Sequence, residues 1–255
     1  MVGCGKMGGA LLSHWMDGGE AFTVVDPMLD AVPDGARLVR DRSDLPEAPF
    51  DVVIVAIKPQ MIDEVMPSYA GLLAEGGYVL SIAAGCSIAR LSRLMSDAPV
   101  VRVMPNLPAA VGKGVSGLCA GPGAEGAPLT HARDMMQRTG TAVVVENEDM
   151  IDRVTAVSGS GPGYVFEFAR AYVEAAIAQG FAPEDARAMV LGTIDGAVAM
   201  ALADQDADLA ELRNSVTSKG GTTAAGLAAL NGDDGLSQRL RETLEAAYTR
   251  AVELR

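Results

Sequence analysis

Histidine, cysteine and basic side chains are all scarce in this 255-residue chain, and each scarcity excludes a class of protein. Only His14 and His131 are present, too few for a histidine-rich metal site, and no metal is expected. Cys4, Cys86 and Cys119 are an odd number without CxxC spacing, which fits reduced small residues in a cytoplasmic protein better than a disulfide framework. Twenty basic residues against thirty-three acidic ones leave a formal charge of -13. That field repels nucleic-acid phosphates and anionic lipid headgroups, so neither is expected as a partner. Long apolar runs are also missing: the longest aliphatic stretch, Val52 to Ile57, is far short of the roughly 20 residues that cross a bilayer. Met1 to Gly5 shows neither the basic nor the apolar region of a secretory signal. What is present is an ordered globular composition, 49% hydrophobic and 21% charged, with length for one large or two modest domains.

The first half alternates short β-branched runs with helix-compatible segments, the signature of a parallel sheet wrapped by crossover helices. Strands are predicted at 22–25, 51–57, 77–83, 99–104, 115–119 and 141–145, and helices over 60–73 and 88–95, the second opened by Ser87 as N-cap. After about Glu148 the β-branched alternation stops and Ala, Leu, Met, Glu and Arg recur at helical spacing. Helices are predicted from Gly161 to about Gln179, after Pro183, and over Leu236 to Leu254. The fold class is therefore an α/β Rossmann-like dinucleotide-binding domain over 1–148 and an all-α domain over 149–255. A helical array this short carries more apolar faces (Phe168, Tyr172, Ile177, Met189, Val198, Leu202) than it buries alone, which predicts a homo-oligomer.

Gly3-Cys4-Gly5-Lys6-Met7-Gly8 matches G-x-G-x-x-G and leads into the helix-compatible Ala10 to Met16. The first glycine allows the tight turn, the second a close approach of backbone to a pyrophosphate, and the third close helix packing. Alone the motif is weak in a chain with 29 glycines. Asp26 strengthens it, standing directly after the 22–25 strand where an acid binds the adenosine ribose. A carboxylate there favours NADH, whereas Arg37, Arg40, Arg42 and Ser43 stand close enough to neutralise the 2′-phosphate of NADPH, and both cofactors stay open. A Rossmann first strand runs about five or six residues before its glycine turn, and only Met1 and Val2 precede Gly3. Met1 is expected to be an internal residue of a longer chain, the alternative being a stub at the sheet centre.

Two segments of the second half combine hydroxyls and glycines at a helix start: Val157 to Tyr164, and Val216-Thr217-Ser218-Lys219-Gly220-Gly221-Thr222-Thr223. Free backbone N–H groups at such a start suit a small carboxylate, although a plain N-cap reads the same way. Together with the glycine loop, Val55-Ala56-Ile57-Lys58-Pro59-Gln60, Ser81 to Gly85 and Arg102-Val103-Met104-Pro105-Asn106-Leu107-Pro108, these segments resemble the pyrroline-5-carboxylate reductase family in order and over nearly the whole chain. Leu107, Lys6 and Lys219 depart from the residues usual there. The resemblance implies reduction of the C=N bond of Δ1-pyrroline-5-carboxylate to L-proline by NADPH or NADH, the last step of proline biosynthesis. It implies a small cyclic imino acid as substrate and a homodimer or higher oligomer. It implies cofactor contacts from Val2, Gly3, Cys4, Gly5, Lys6, Met7 and Gly8, from Asp26 and Ser43, from Ile57, Lys58 and Ala84 with the Met104 to Asn106 loop, and from Ser215. Glu148, Gly220, Gly221, Thr222 and Thr223 are implied at the substrate. The Thr223 hydroxyl is implied near the imine nitrogen, where its high pKa suits orientation or relay better than outright acid catalysis.

Two rivals compete. A β-hydroxyacid-type dehydrogenase needs a helical lysine, and none of Lys6, Lys58, Lys113 and Lys219 lies mid-helix in the second half. A non-catalytic NAD(P)-binding sensor or scaffold would keep the fold without turnover. Met61, Met66, Met95, Met135, Met136, Met189 and Met200 read as core filler, and His14 and His131 as solvated or capping residues without a readable partner.

Overall fold

The β-branched runs become strands. The computed structural model describes residues 1–46, 48–204 and 206–254, with Asp233 by its backbone alone. Its strands are β1 (Thr23–Val25), β2 (Arg37–Val39), β3 (Phe50–Val55), β4 (Leu73–Ser81), β5 (Val100–Met104), β6 (Gly114–Ala120) and β7 (Gly140–Val144). β1 pairs with β2, and β3 to β7 follow one another in order. Val2 links the two groups, bridging in parallel to Val25 on one side and Val55 on the other. The order is thus β2-β1-Val2-β3-β4-β5-β6-β7, with Met1 and Val2 where the central strand of a dinucleotide fold belongs.

The expected all-parallel sheet holds only through β5. β6 runs antiparallel to β5, and β7 is parallel to β6. The connection 105–113 is too short for a parallel crossover, which needs a dozen or more residues. The helix expected over 60–73 is likewise broken, into a 3-10 turn at Pro59–Met61, α2 (Ile62–Val65) and a second 3-10 turn at Met66–Tyr69. Pro67 has no N–H to continue the ladder, and Leu73 already belongs to β4.

Alternate strand residues feed two core clusters, one on each face of the sheet. Val25, Val53, Val55 and Val79 pack with Ile62, Met66 and the Ile88 and Leu91 face of α3 (Ile88–Leu94). Val24, Ile54, Leu80 and Val101 pack with Leu11, Leu12 and Trp15 of α1 (Lys6–Trp15) and with Met135 and Met136 of α4 (Ala127–Gln137). Each such side chain taken from water stabilises the fold by about 1.5–3 kcal/mol. Ser87 caps α3, its hydroxyl accepting from Arg90 N–H at 3.2 Å. α5 (Glu148–Val154) runs into a π-helical turn at Thr155–Gly159.

By compactness the division falls between Pro162 and Gly163, downstream of 148/149, and residues from Ala246 on belong with the sheet unit. The helices from this point are α6 (Gly161–Ala178), α7 (Pro183–Ala203), α8 (Leu209–Ser215), α9 (Thr222–Leu230) and α10 (Gly235–Glu253). Pro183 opens α7 at its first turn, as the sequence predicts. Among their described residues only Ala169, Ala186 and Val190 are buried. Met189 and Met200, read as core filler, are exposed here, as is Met61 in the sheet unit. α7 is also long and apolar enough to cross a bilayer by length and composition, a length the aliphatic-run count missed because Gly192, Thr193, Asp195, Gly196 and Met200 interrupt its aliphatic residues.

Candidate active site

The turn from Val2 into α1 places backbone amides at the rim of an open cavity. Gly3 has a positive φ of 77°, and a Cβ there would come within 2.6 Å of Ile57 Cγ2 and 3.0 Å of the Ala56 carbonyl oxygen. Only glycine fits that turn without strain. At Gly8 a Cβ would meet Ala56 Cβ at 3.3 Å and Met1 Cε at 2.7 Å, so α1 packs closely against the sheet. Gly5, the N-cap, has open space where its Cβ would stand. The first intrahelical bond is Gly9 N–H to Gly5 O at 2.8 Å, which leaves the N–H groups of Lys6, Met7 and Gly8 at the helix start. No acidic side chain occupies that first turn, so the positive end of the helix dipole is uncompensated.

Asp26 follows β1 and is fixed by two backbone donors. Cys4 N–H reaches its Oδ2 and Met28 N–H its Oδ1, each at 2.9 Å. A cavity of about 570 Å³ brings Gly3, Cys4, Gly5 and Asp26 together with Ile57 and Lys58, and Val2 also lines it. Arg40 and Arg42 line the same cavity. Arg40 is engaged with the carbonyls of Pro27 and Leu29. Ser43 does not line it; its hydroxyl and N–H both go to Asp41 Oδ1, at 2.7 and 2.8 Å. A cavity with the Gly3 to Gly5 backbone at one part and a held carboxylate at another fits a dinucleotide, although Lys6, Met7 and Gly8 at the start of α1 do not line it. Ala84 lines a separate cavity of about 230 Å³, with Gln60, Gly85, Arg102, Thr155 and Leu254.

The sequence reading gave no role to Arg102, which the structure makes the hub of this second cavity. Its side chain is 3% exposed and donates to Glu148 Oε1 at 2.8 Å, with Asp152 Oδ1 at 3.5 Å. Glu148 Oε1 also accepts from Ile88 N–H at 3.0 Å. Asn106 ties the 105–113 connection to the π turn, accepting from Val115 N–H at 2.8 Å and donating to the Ser158 carbonyl at 2.9 Å. A lone arginine inside the apolar run Val100 to Met104 was the available signal, since a buried guanidinium requires a carboxylate. His131 also departs from the expectation of a partnerless residue. Its Nδ1 lies 3.0 Å from Tyr78 Oη and its Nε2 3.4 Å from Glu20 Oε1.

The remaining residues lie in the helical unit. Ser215 ends α8, its hydroxyl donating to the Leu212 carbonyl at 2.7 Å. Gly220 has a φ of 72°, and Gly221 is the N-cap of α9. Thr222 and Thr223 are its first two residues, and both are exposed. The first backbone bond of this helix is Ala225 N–H to Gly221 O at 3.2 Å, so the Thr222, Thr223 and Ala224 amides stand free of intrahelical partners.

The doubly wound sheet, the glycine loop and the fixed acid define a nicotinamide-dinucleotide-dependent oxidoreductase. Residues 148–254 match the family model described as pyrroline-5-carboxylate reductase dimerisation, and residues 1–85 match NADP oxidoreductase coenzyme F420-dependent. A pyrroline-5-carboxylate reductase of Synechocystis is 33% identical over 100% of this chain and 97% of its own length. One from Vibrio alginolyticus is 38% identical over 80% of this chain and 75% of its own. The structure of a pyrroline-5-carboxylate reductase from Coxiella burnetii superposes with a TM-score of 0.91 at 31% identity, covering 99% of this chain and 96% of that one. The Plasmodium falciparum enzyme with NADP bound gives 0.83 at 26%, covering 99% and 97%. The chain belongs to the pyrroline-5-carboxylate reductase family.

Proposed function

We infer that this chain reduces the C=N bond of Δ1-pyrroline-5-carboxylate to L-proline. The observation that carries the reading is the open Gly5 position at the start of α1, in one cavity with the Asp26 carboxylate. NADH or NADPH supplies the hydride when bound. In this reading the Lys6, Met7 and Gly8 amides hold the pyrophosphate, with Val2, Gly3, Cys4 and Gly5 beneath it, and Asp26 accepts from the ribose hydroxyls. Ile57, Lys58 and Ala84 flank the nicotinamide half. The amides at the start of α9, with Gly220 and Gly221 giving close approach, anchor the substrate carboxylate. Thr223 orients the imine nitrogen or relays a proton to it from water. Glu148 acts near the substrate through its bond to Arg102, and Ser215 near the cofactor. Asp26, its carboxylate held in place by two N–H groups, disfavours a 2′-phosphate and leans the choice to NADH; Ser43, turned to Asp41, supports the same lean. Two helix starts outweigh the overall charge of -13 to hold two anions.

The helical unit's exposed apolar residues support a homodimer or higher oligomer. The buried, unbonded thiols of Cys4, Cys86 and Cys119 support a cytoplasmic setting, and the negative charge supports the lack of a nucleic-acid or anionic membrane partner.

The test follows oxidation of NADH and NADPH in the presence of the imine. Turnover is expected, with NADH the better cofactor. Oxidation of neither would instead support a non-catalytic sensor. Thr223→Ala is expected to lower kcat about tenfold or more, short of the 10²–10⁴ that a full general acid contributes, with cofactor affinity nearly intact. An unchanged kcat removes Thr223 from the mechanism.

A further inference from the structure

The cavity that holds Asp26 has an exposed thioether on each side. In the sheet order Val2 stands between β1 and β3, so the segments leaving those two strands flank the Gly3 to Gly5 turn. Met28 lies on the first and Met61 on the second, and both line the cavity of about 570 Å³ together with Asp26. Met28 is 85% exposed, more than any other large apolar side chain among the described residues, and Met61 is 45% exposed. Val65 and Tyr69 line the same cavity.

A single exposed apolar side chain is ordinary, but the backbone that carries Met28 is pinned. Its N–H donates to Asp26 Oδ1 at 2.9 Å. The Arg40 guanidinium donates to the carbonyls on either side of it, to Pro27 O at 3.4 Å and to Leu29 O. Pro27 has its φ fixed by its ring. The segment therefore presents the Met28 side chain from a set position, two residues past the acid. Met61 is fixed as well, closing the 3-10 turn Pro59–Met61 with its N–H on the Lys58 carbonyl at 2.9 Å.

We propose that Met28 and Met61 hold the adenine of the dinucleotide between them and are a modification site, where oxidation of the two sulfurs weakens cofactor binding. The proposal rests on the reading of this cavity as the cofactor site with the ribose at Asp26, since the base is one glycosidic bond from that ribose. Thioethers are flexible and polarizable and pack favourably on aromatic rings. The oxidant is a hydroperoxide such as hydrogen peroxide. A sulfur lone pair attacks one peroxide oxygen, the O–O bond breaks, and the departing hydroxide takes that oxygen's proton and leaves as water. Sulfur is oxidised by two electrons and the peroxide is reduced by two. The resulting sulfoxide is polar and chiral, and an aromatic face no longer suits it. Exposure opens both sulfurs to the peroxide, whereas Met66, Met95, Met135 and Met136 are closed off in the core.

The experiment titrates NADH into the chain before and after hydrogen peroxide, with peptide mass spectrometry reading each methionine and added free methionine as the reference. Sulfoxide is expected at Met28 and Met61 well before Met66 and Met135, and NADH affinity is expected to fall at least about tenfold. Saturating NAD⁺, which has the same adenine half, is expected to slow sulfoxide formation at these two positions severalfold. In Met28→Leu/Met61→Leu the fall on peroxide treatment is expected to vanish, each protein being compared with its own untreated form, whereas Met150→Leu keeps it. A methionine sulfoxide reductase with its thiol reductant should restore the affinity. Unchanged affinity once both sulfoxides have formed, an equal fall in the double variant, no protection by NAD⁺, or resistance of both sulfurs after the free methionine has reacted overturns the proposal and leaves the cofactor reading standing. Failure of NADH and NADPH to bind the untreated chain overturns that reading, and the proposal with it.

Discussion

The sheet unit and the helical unit spend similar sequence resources very differently. In the sheet unit Leu11, Leu12, Trp15, Ile62, Met66, Leu80, Leu118 and Met135 are all but fully buried. In the helical unit residues of the same kind, among them Phe166, Phe168, Met200, Leu202 and Leu230, remain about half exposed or more. Aliphatic and aromatic surface on that scale marks an interface rather than a solvent face. The matched dimerisation family covers these helices, which supports a homo-oligomer, while strands and crossovers of the same chain bury the apolar residues of the first half. Hydrophobic content therefore says how much a segment must bury, and its spacing in the chain says whether it can do so alone. The ion pairs differ in the same way: Arg102 is buried with its carboxylates, while Arg170 with Glu167 and Glu174 lies on an exposed face, where such pairs contribute little.

The contrast can be tested from its strongest side downward. Arg102→Ala takes the guanidinium from Glu148 and Asp152 inside the sheet unit, and a loss of about 3–5 kcal/mol of stability is expected in chemical unfolding. A loss as small as that of Arg170→Ala would erase the distinction between the two kinds of ion pair. Phe168→Asp should leave the sheet unit folded and weaken self-association by about 2 kcal/mol or more, roughly thirtyfold, in sedimentation. Unaltered association would place the interface elsewhere. A smaller effect is expected with pH. The Arg138 hydrogen bonds hold the Glu20 carboxyl at about 2, below its ordinary 4.5. Its folded pKa is depressed, so its contribution is whole above pH 4.5 and is lost as pH falls through 2. Arg138→Gln should flatten that limb of the stability curve.

Local rules made much of this legible. The Gly3 to Gly8 turn, Asp26 after β1, the Ser87 cap and Pro183 at a helix start each depend on neighbours within a few residues, and each stands where the sequence puts it. What escaped depends on distant partners. β2 is three residues long in a polar stretch and exists because β1 lies beside it. The reversal at β6 follows from connection length, which strand patterning does not weigh. His131 meets Tyr78 and Glu20 from 53 and 111 residues away, a meeting no helical periodicity could show. Among candidate site residues, the Gly3 to Gly8 turn was legible in glycine spacing, whereas the partners of Arg102 and Asn106 needed the fold, because those carboxylate and carbonyl groups lie about 50 residues downstream.

Trp15 turns one packing detail into an optical handle. It is the chain's single tryptophan, fully buried, with its indole N–H on the Met135 carbonyl at 2.9 Å and its ring stacked on Phe22. It sits at the far end of α1 from the glycine turn, about 15 Å away for ten residues of helix. Reduced nicotinamide absorbs where indole emits, so quenching of this one fluorophore reports cofactor occupancy, and its unquenched emission during denaturation reports the sheet half alone.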